Sequence, residues 1–105
     1  MQEMSNKEYI KSRLSNRALL EQLAEESAEL CQAALKAIRV GCNENPTPLT
    51  IEQAGKNLAE ELFDVLIVAD ILGVVPGIAP NDDPKVIRWA ERLRAKEAAE
   101  NGGEV

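Results

Sequence analysis

Leu19–Leu35 reads LLEQLAEESAELCQAAL, an apolar run at helical spacing with Glu25, Glu26 and Glu29 in its middle. Each residue of an α-helix advances about 100° around the axis. With Glu26 set at zero, Ala33, Leu19, Leu30, Leu23 and Ala34 fall between about −20° and 80°, so Glu26 stands inside the apolar stripe. Glu29 follows one turn later at about −60°, on the same side, and Glu25 lies further out at about −100°. A carboxylate on a buried face needs a partner, because an ion left unpaired where water is scarce costs several kcal/mol. No Lys or Arg lies within one turn of Glu26.

The stretch Asn57–Leu72, NLAEELFDVLIVADIL, repeats the arrangement. With Glu61 at zero, Val68, Ala54, Leu72, Val65 and Leu58 fall between about −20° and 60°, and Asp64 stands at about −60°, as Glu29 does to Glu26. Two antiparallel helices joined by one loop pack their apolar stripes together, which brings Glu26, Glu29, Glu61 and Asp64 close. Four carboxylates in a small space repel unless a cation neutralises them or some hold protons. The chain has no histidine, and Cys31 and Cys42 form no close pair. Only oxygen is on offer, which suits Mg²⁺, or Mn²⁺ in its place, and not zinc or a Glu-x-x-His di-iron centre. Glu25, Glu52, Glu60 and Glu91 read as ordinary solvated or ion-paired helix residues, and so does Asp70, on the opposite side of its helix from Glu61.

The 105 residues suit one domain with a modest core, or a protomer that completes its core by association. Aromatics are only 3%, so the core must be Leu, Ile, Val and Ala. A formal charge of −6 argues against the surface as a whole being a platform for nucleic acid or an anionic membrane. The run Val65–Val75 contains Asp70 and falls well short of the roughly 20 residues a spanning helix needs. Two sparse thiols and a start without a basic, apolar signal pattern make a cytoplasmic location the expectation.

Punctuation divides the chain into helices. Ser5 and Glu8 form a capping pattern for a short first helix, and Ser15 or Asn16 opens a long one expected to run to about Arg39, with Gly41 as its stop. After a loop holding Pro46 and Pro48, Thr50 and Gln53 make a capping box, and that helix should end near Leu72, before Gly73 and Pro76. Asp83 and Pro84 suit the N-cap and first position of a last helix reaching about Ala99. No stretch alternates at period two. The expectation is an all-α, four-helix-type bundle in one domain, residues 1–105, with a core over about 15–96 and a frayed tail over 97–105. Phe63, Ile67 and Ile71 lie on the side of their helix away from Val65, and four short helices hardly cover that face. A homodimer or a dimer of dimers is therefore expected.

EESAE at Glu25–Glu29 followed by EELFD at Glu60–Asp64 resembles the paired E-E-x-x-E and E-x-x-D motifs of MazG-like proteins. These are all-α nucleoside triphosphate pyrophosphohydrolases, whose superfamily includes the dimeric dUTPases and phosphoribosyl-ATP pyrophosphatase. The resemblance spans about residues 15–95. The spacer with NENPTPLT is longer than usual, and the aromatics often found after E-x-x-D are missing. The resemblance implies Mg²⁺ held by Glu26, Glu29, Glu61 and Asp64, with Glu25 an outer member of the motif. It also implies hydrolysis of a nucleoside triphosphate to the monophosphate and pyrophosphate. Independently of the resemblance, one carboxylate can accept the proton of the attacking water, and Glu25 and Glu29 are the candidates for that side.

Lys85, Arg88, Arg92 and Lys96 project to within about 80° of arc on the last helix, with Trp89 beside them. One reading gives Lys85, Arg88 and Arg92 to the triphosphate and Trp89 to the base or ribose. The other is a solvated face with Trp89 packed on the core. Lys56 and Asn57 are further candidates for substrate contact. Two other functions fit the same sequence: a non-catalytic helical interaction protein with a structural cation, and pyrophosphate release from phosphoribosyl-ATP.

Overall fold

Capping side chains set where the helices begin. In the computed structural model, which describes residues 3–42, 44, 47–75, 77 and 79–102, Ser5 Oγ accepts the Glu8 N–H at the head of α1 (Asn6–Arg13). Ser15 Oγ accepts the Ala18 N–H at the head of α2 (Asn16–Cys42). Thr50 and Gln53 close a full capping box, with bonds of 3.0 and 2.9 Å, before α3 (Ile51–Leu72). Gly73 ends α3 at φ 97°, a left-handed conformation that only glycine adopts without strain. Asp83 Oδ1 accepts the Lys85 N–H at the start of α4 (Pro84–Gly102). Among the described residues there is no strand, so the chain is all-α.

Two boundaries differ from expectation. Helix α2 runs through Gly41 to Cys42, because one glycine costs a helix only about 1 kcal/mol and does not by itself end it. Helix α4 continues past Ala99, and residues 97–102 are helical, not frayed. Glu97 accepts a hydrogen bond from the Tyr9 hydroxyl and lies 3.7 Å from Arg13, which ties this end to α1. Pro46, Pro76 and residues 103–105 lie outside the described residues.

Helices α2 and α3 form the long hairpin that carries the acidic residues. The buried positions of α2 are Leu19, Glu26 and Ala33, seven apart; on α3 the half-buried Glu61 stands midway between buried Ala54 and Val68, at the same interval. A seven-residue repeat keeps one seam facing a partner helix. Its layers run antiparallel: Leu19 and Val68 share the core, Glu26 meets Glu61, and Ala33 and Ala54 line one cleft.

Helices α1 and α4 cover one end of this hairpin. There Ile10, Leu19, Ile67, Val68, Ile71, Ala79, Val86, Trp89 and Ala90 make the core. This corrects the expectation for the Phe63, Ile67 and Ile71 face: Ile67 and Ile71 are buried within the chain, and only Phe63 stays substantially exposed. The cover comes from α1, which Lys7 and Lys11 tie to Asp70 and to the Leu72 carbonyl at the end of α3. The opposite end of the hairpin projects. The chain extends 58 Å with a radius of gyration of 17.1 Å, where a compact chain of this length has about 13 Å. Leu35, Ile38 and Ile51 are exposed there.

Asp70 fastens the covered end. Its carboxylate accepts the Gly77 and Ala79 N–H groups, at 3.0 and 2.9 Å, and pairs with Lys7 at 3.0 Å. Burial alone would raise this carboxyl, but those three donors outweigh it and hold it below the ordinary carboxylate value. Asp70→Asn should lose about 1.5–3 kcal/mol in a urea melt at pH 7. A lowered folded-state pKa gives stability above the unfolded value, near pH 4, that is lost as pH falls through the folded value. The gap between wild type and variant should therefore close below about pH 4. A gap that persists in acid would show that the charge of Asp70 is not its source.

Candidate metal centre

The middle layer of the α2–α3 seam is made of carboxylates where its neighbours are apolar. Glu26 and Glu61 occupy it, and Glu29 reaches the same spot from one turn further along α2. One oxygen from each of these three residues lies within 4.8 Å of the others. Glu26 is only 5% exposed. Its Oε1 accepts from Gln22 Nε2 at 3.0 Å and from Lys85 Nζ at 2.9 Å. Glu26 Oε2 and Glu61 Oε2 are buried with no hydrogen-bond partner.

These two oxygens make the chemical case for a cation. A buried polar atom without a partner costs about 1–3 kcal/mol, more when charged, and a metal ion supplies what both lack. Oxygen-only donors suit a hard ion, and Mg²⁺–O bonds of about 2.1 Å put ligand oxygens roughly 3–4 Å apart, within small side-chain rotations of the spacing here. The crowding shows in Glu29, whose carboxyl is pushed above its ordinary value by the charge of Glu26 first, then by burial and by Glu61.

Asp64 is placed differently from the other three. It lies outside the trio and 3.8 Å from Lys85 Nζ. Burial raises its carboxyl, Lys85 pulls it down, and Glu26 and Glu61 raise it again, with a net upward shift. Glu25 is exposed and also outside the trio.

Clefts open on two sides of the carboxylates. One, of about 440 Å³ between α2 and α3, is lined by Glu29, Gln32, Lys36, Asn57 and Glu61 over a floor of Ala33 and Ala54. Small alanines in this layer leave the space that leucines would fill. The other, of about 430 Å³, lies between α3 and the start of α4, where Arg88 joins Asp64, Lys85 and Phe63.

The basic stripe is thus divided. Lys85 meets carboxylates, Arg88 lines the second cleft, and Arg92 is exposed and lines neither. Trp89 is 8% exposed within the core, so the expectation that it covers a base or ribose is corrected: its indole packs in the cluster that holds α4 in place. Asn57 joins the first cleft, and Lys56 is exposed and does not line it. Gln22 and Lys36 were missed, although both were legible: Gln22 stands four residues before Glu26, and Lys36 seven after Glu29 on the same helix face.

No helix among the described residues is long and apolar enough to cross a membrane. Comparison with protein-family models, curated proteins and solved structures returns no match.

Proposed function

We propose that this chain is a MazG-like nucleoside triphosphate pyrophosphohydrolase that works with Mg²⁺ or Mn²⁺ and releases a nucleoside monophosphate and pyrophosphate. The observation that carries the reading is the Glu26, Glu29 and Glu61 cluster with its two unpartnered buried oxygens, beside a cleft that also presents a cation. When bound, the ion neutralises phosphate charge and makes a coordinated water more acidic.

The remaining work falls to side chains of this chain. Lys36 and Asn57 line the cleft and bind phosphate or sugar oxygens. Glu29 is the member of the trio open to solvent, and it accepts the proton of the attacking water. The water oxygen bonds to phosphorus as the bridging P–O bond breaks, and pyrophosphate leaves with that electron pair. Arg88 steers anions at the second cleft.

A second copy of the chain is the cover this reading assigns to the projecting hairpin. Cys31, Leu35, Ile38 and Cys42 are exposed at alternating spacings of four and three on α2, with Leu35 and Ile38 about 140–160° from Ala33 and so on the face away from the acidic seam. Two such hairpins packed together make a four-helix bundle in a homodimer or a dimer of dimers.

A panel of nucleoside triphosphates with phosphoribosyl-ATP, incubated with Mg²⁺ and scored for pyrophosphate and for orthophosphate, tests the activity. Pyrophosphate with a monophosphate product is expected, and abolished by chelator. Orthophosphate with a diphosphate product would remove the reaction proposed, and no turnover of any of them would leave a helical protein with a structural cation.

A further inference from the structure

Helix α4 has its closest backbone neighbour in α1, and α1 in turn reaches α3. Polar bonds hold α1 on both sides. Toward the hairpin, Lys7 pairs with Asp70 at 3.0 Å and Lys11 Nζ donates to the Leu72 carbonyl at 3.1 Å. Toward the segment before α4, Asn81 Oδ1 accepts the Lys7 N–H at 2.8 Å and the Asn81 carbonyl accepts from Asn6 Nδ2 at 2.9 Å. Toward α4 itself, Arg94 lies 4.5 Å from the centre of the Tyr9 ring and donates to Asn6 Oδ1, and Glu97 meets both the Tyr9 hydroxyl and Arg13. Ile10 is the one buried residue of α1, in the core cluster with Ile67, Ile71, Val86 and Trp89. The head of α4 is one wall of the second cleft, where Pro84, Lys85 and Arg88 stand across from Glu60, Phe63 and Asp64 of α3. Lys85 also reaches Glu26 of α2, at 2.9 Å.

We propose that α1 is a strap that positions this wall: α1, residues 79–83 and α4 open from the α2–α3 hairpin in one step, and Lys85 and Arg88 leave and re-enter the cleft with them. The inference needs neither the metal nor the reaction proposed above. An eight-residue helix is too short to persist in water without its neighbours, so α1 melts when its bonds are broken. Those bonds are mostly polar, and water replaces them on opening, which puts α1 at the low end of local stability. Without α1, the head of α4 is left on the hairpin by Val86, Trp89 and Ala90 and by the Lys85 bond, beside the space that Ile10 vacates. Helices α2 and α3 keep their own seam along the hairpin and stay paired. The strap and the α4 wall therefore share one equilibrium, and a change at either end is felt at the other.

Amide hydrogen exchange of the full chain in metal-free buffer, read residue by residue by nuclear magnetic resonance, tests this. In wild type the most protected amides of α1 and of α4 should share one opening constant, about tenfold or more above that of the most protected amides in α2 and α3. Lys85→Met removes the charged bond to Glu26, and no bond of the Lys85 side chain goes to α1. It should nevertheless speed exchange in α1 about tenfold or more, by the same factor as in α4. Lys7→Met is the reciprocal variant. It removes the bond to Asp70 and should speed exchange over Val86–Arg92 by the factor that it speeds exchange in α1. If either variant does not fold, the other decides together with the wild-type rates.

Several results overturn the proposal. A wild type in which α1 exchanges well ahead of α4 has a first helix that frays alone. One in which α1, α4 and the hairpin share a single constant has no opening short of global unfolding. Exchange in α1 that Lys85→Met leaves unchanged, or exchange in α4 that Lys7→Met leaves unchanged, breaks the link between the strap and the cleft wall. None of these outcomes bears on pyrophosphate release, and a protein that hydrolyses no nucleotide can still show the linked opening.

Discussion

Glu61→Gln is expected to abolish metal-dependent pyrophosphate release, by about 100-fold or more, while the protein stays folded. Glutamine keeps the bulk at the middle layer of the α2–α3 seam and removes one of the three charges that converge there. Two effects decide its stability in metal-free buffer, and both favour the variant. Repulsion of Glu29 and Glu26 falls, and the new amide offers a donor where Glu61 Oε2 had no partner and where Glu26 Oε2 also lacks one. The melting temperature in chelator should therefore equal or exceed that of wild type, and the stabilisation that Mg²⁺ gives wild type should disappear. Full activity would sink the site. An inactive variant that also melts well below wild type in chelator would show instead that the Glu61 carboxylate supports the fold.

The placement of these carboxylates was legible in the sequence for a physical reason. A seven-residue interval fixes which side of a helix faces its neighbour, and Leu19, Glu26 and Ala33 share it with Ala54, Glu61 and Val68. Caps were legible too, since Ser5, Thr50 and Asp83 act on N–H groups two or three residues away. What periodicity does not report is which element covers a face. Helix α1 is short and polar, with Ile10 its only buried residue, and nothing in its own pattern says that Lys7 and Lys11 fasten it over Asp70 and Leu72. The partner of Lys85 is hidden from periodicity for the same reason. The lysine's helical stripe is basic, but the group it meets is Glu26, 59 residues earlier in the chain. Trp89 shares an arc with that stripe and yet faces the core, because four basic residues spread over about 80° leave an edge for it to turn inward.

The burial of Ile67 changes what a charge placed there should do. Ile67 is fully buried among Ile10, Leu19, Val68 and Val86, with no cation in that cluster to meet a carboxylate. Ile67→Glu therefore sets an unpaired charge in an apolar core at a cost of several kcal/mol, in a domain whose whole stability is about 5–15 kcal/mol. The variant should unfold or become molten at every protein concentration, with loss of cooperative melting. Ile38→Glu makes the opposite test. Ile38 is 62% exposed on the projecting end of α2, so the charge stays solvated within one chain and the fold should survive. If a second copy covers that end, Ile38→Glu should sediment as a folded monomer at concentrations where wild type sediments as a larger species. A wild type that is monomeric throughout would remove the assembly proposed for this face. A folded, monomeric Ile67→Glu would show that Ile67 lies at a contact between chains and that the core described here is misassigned.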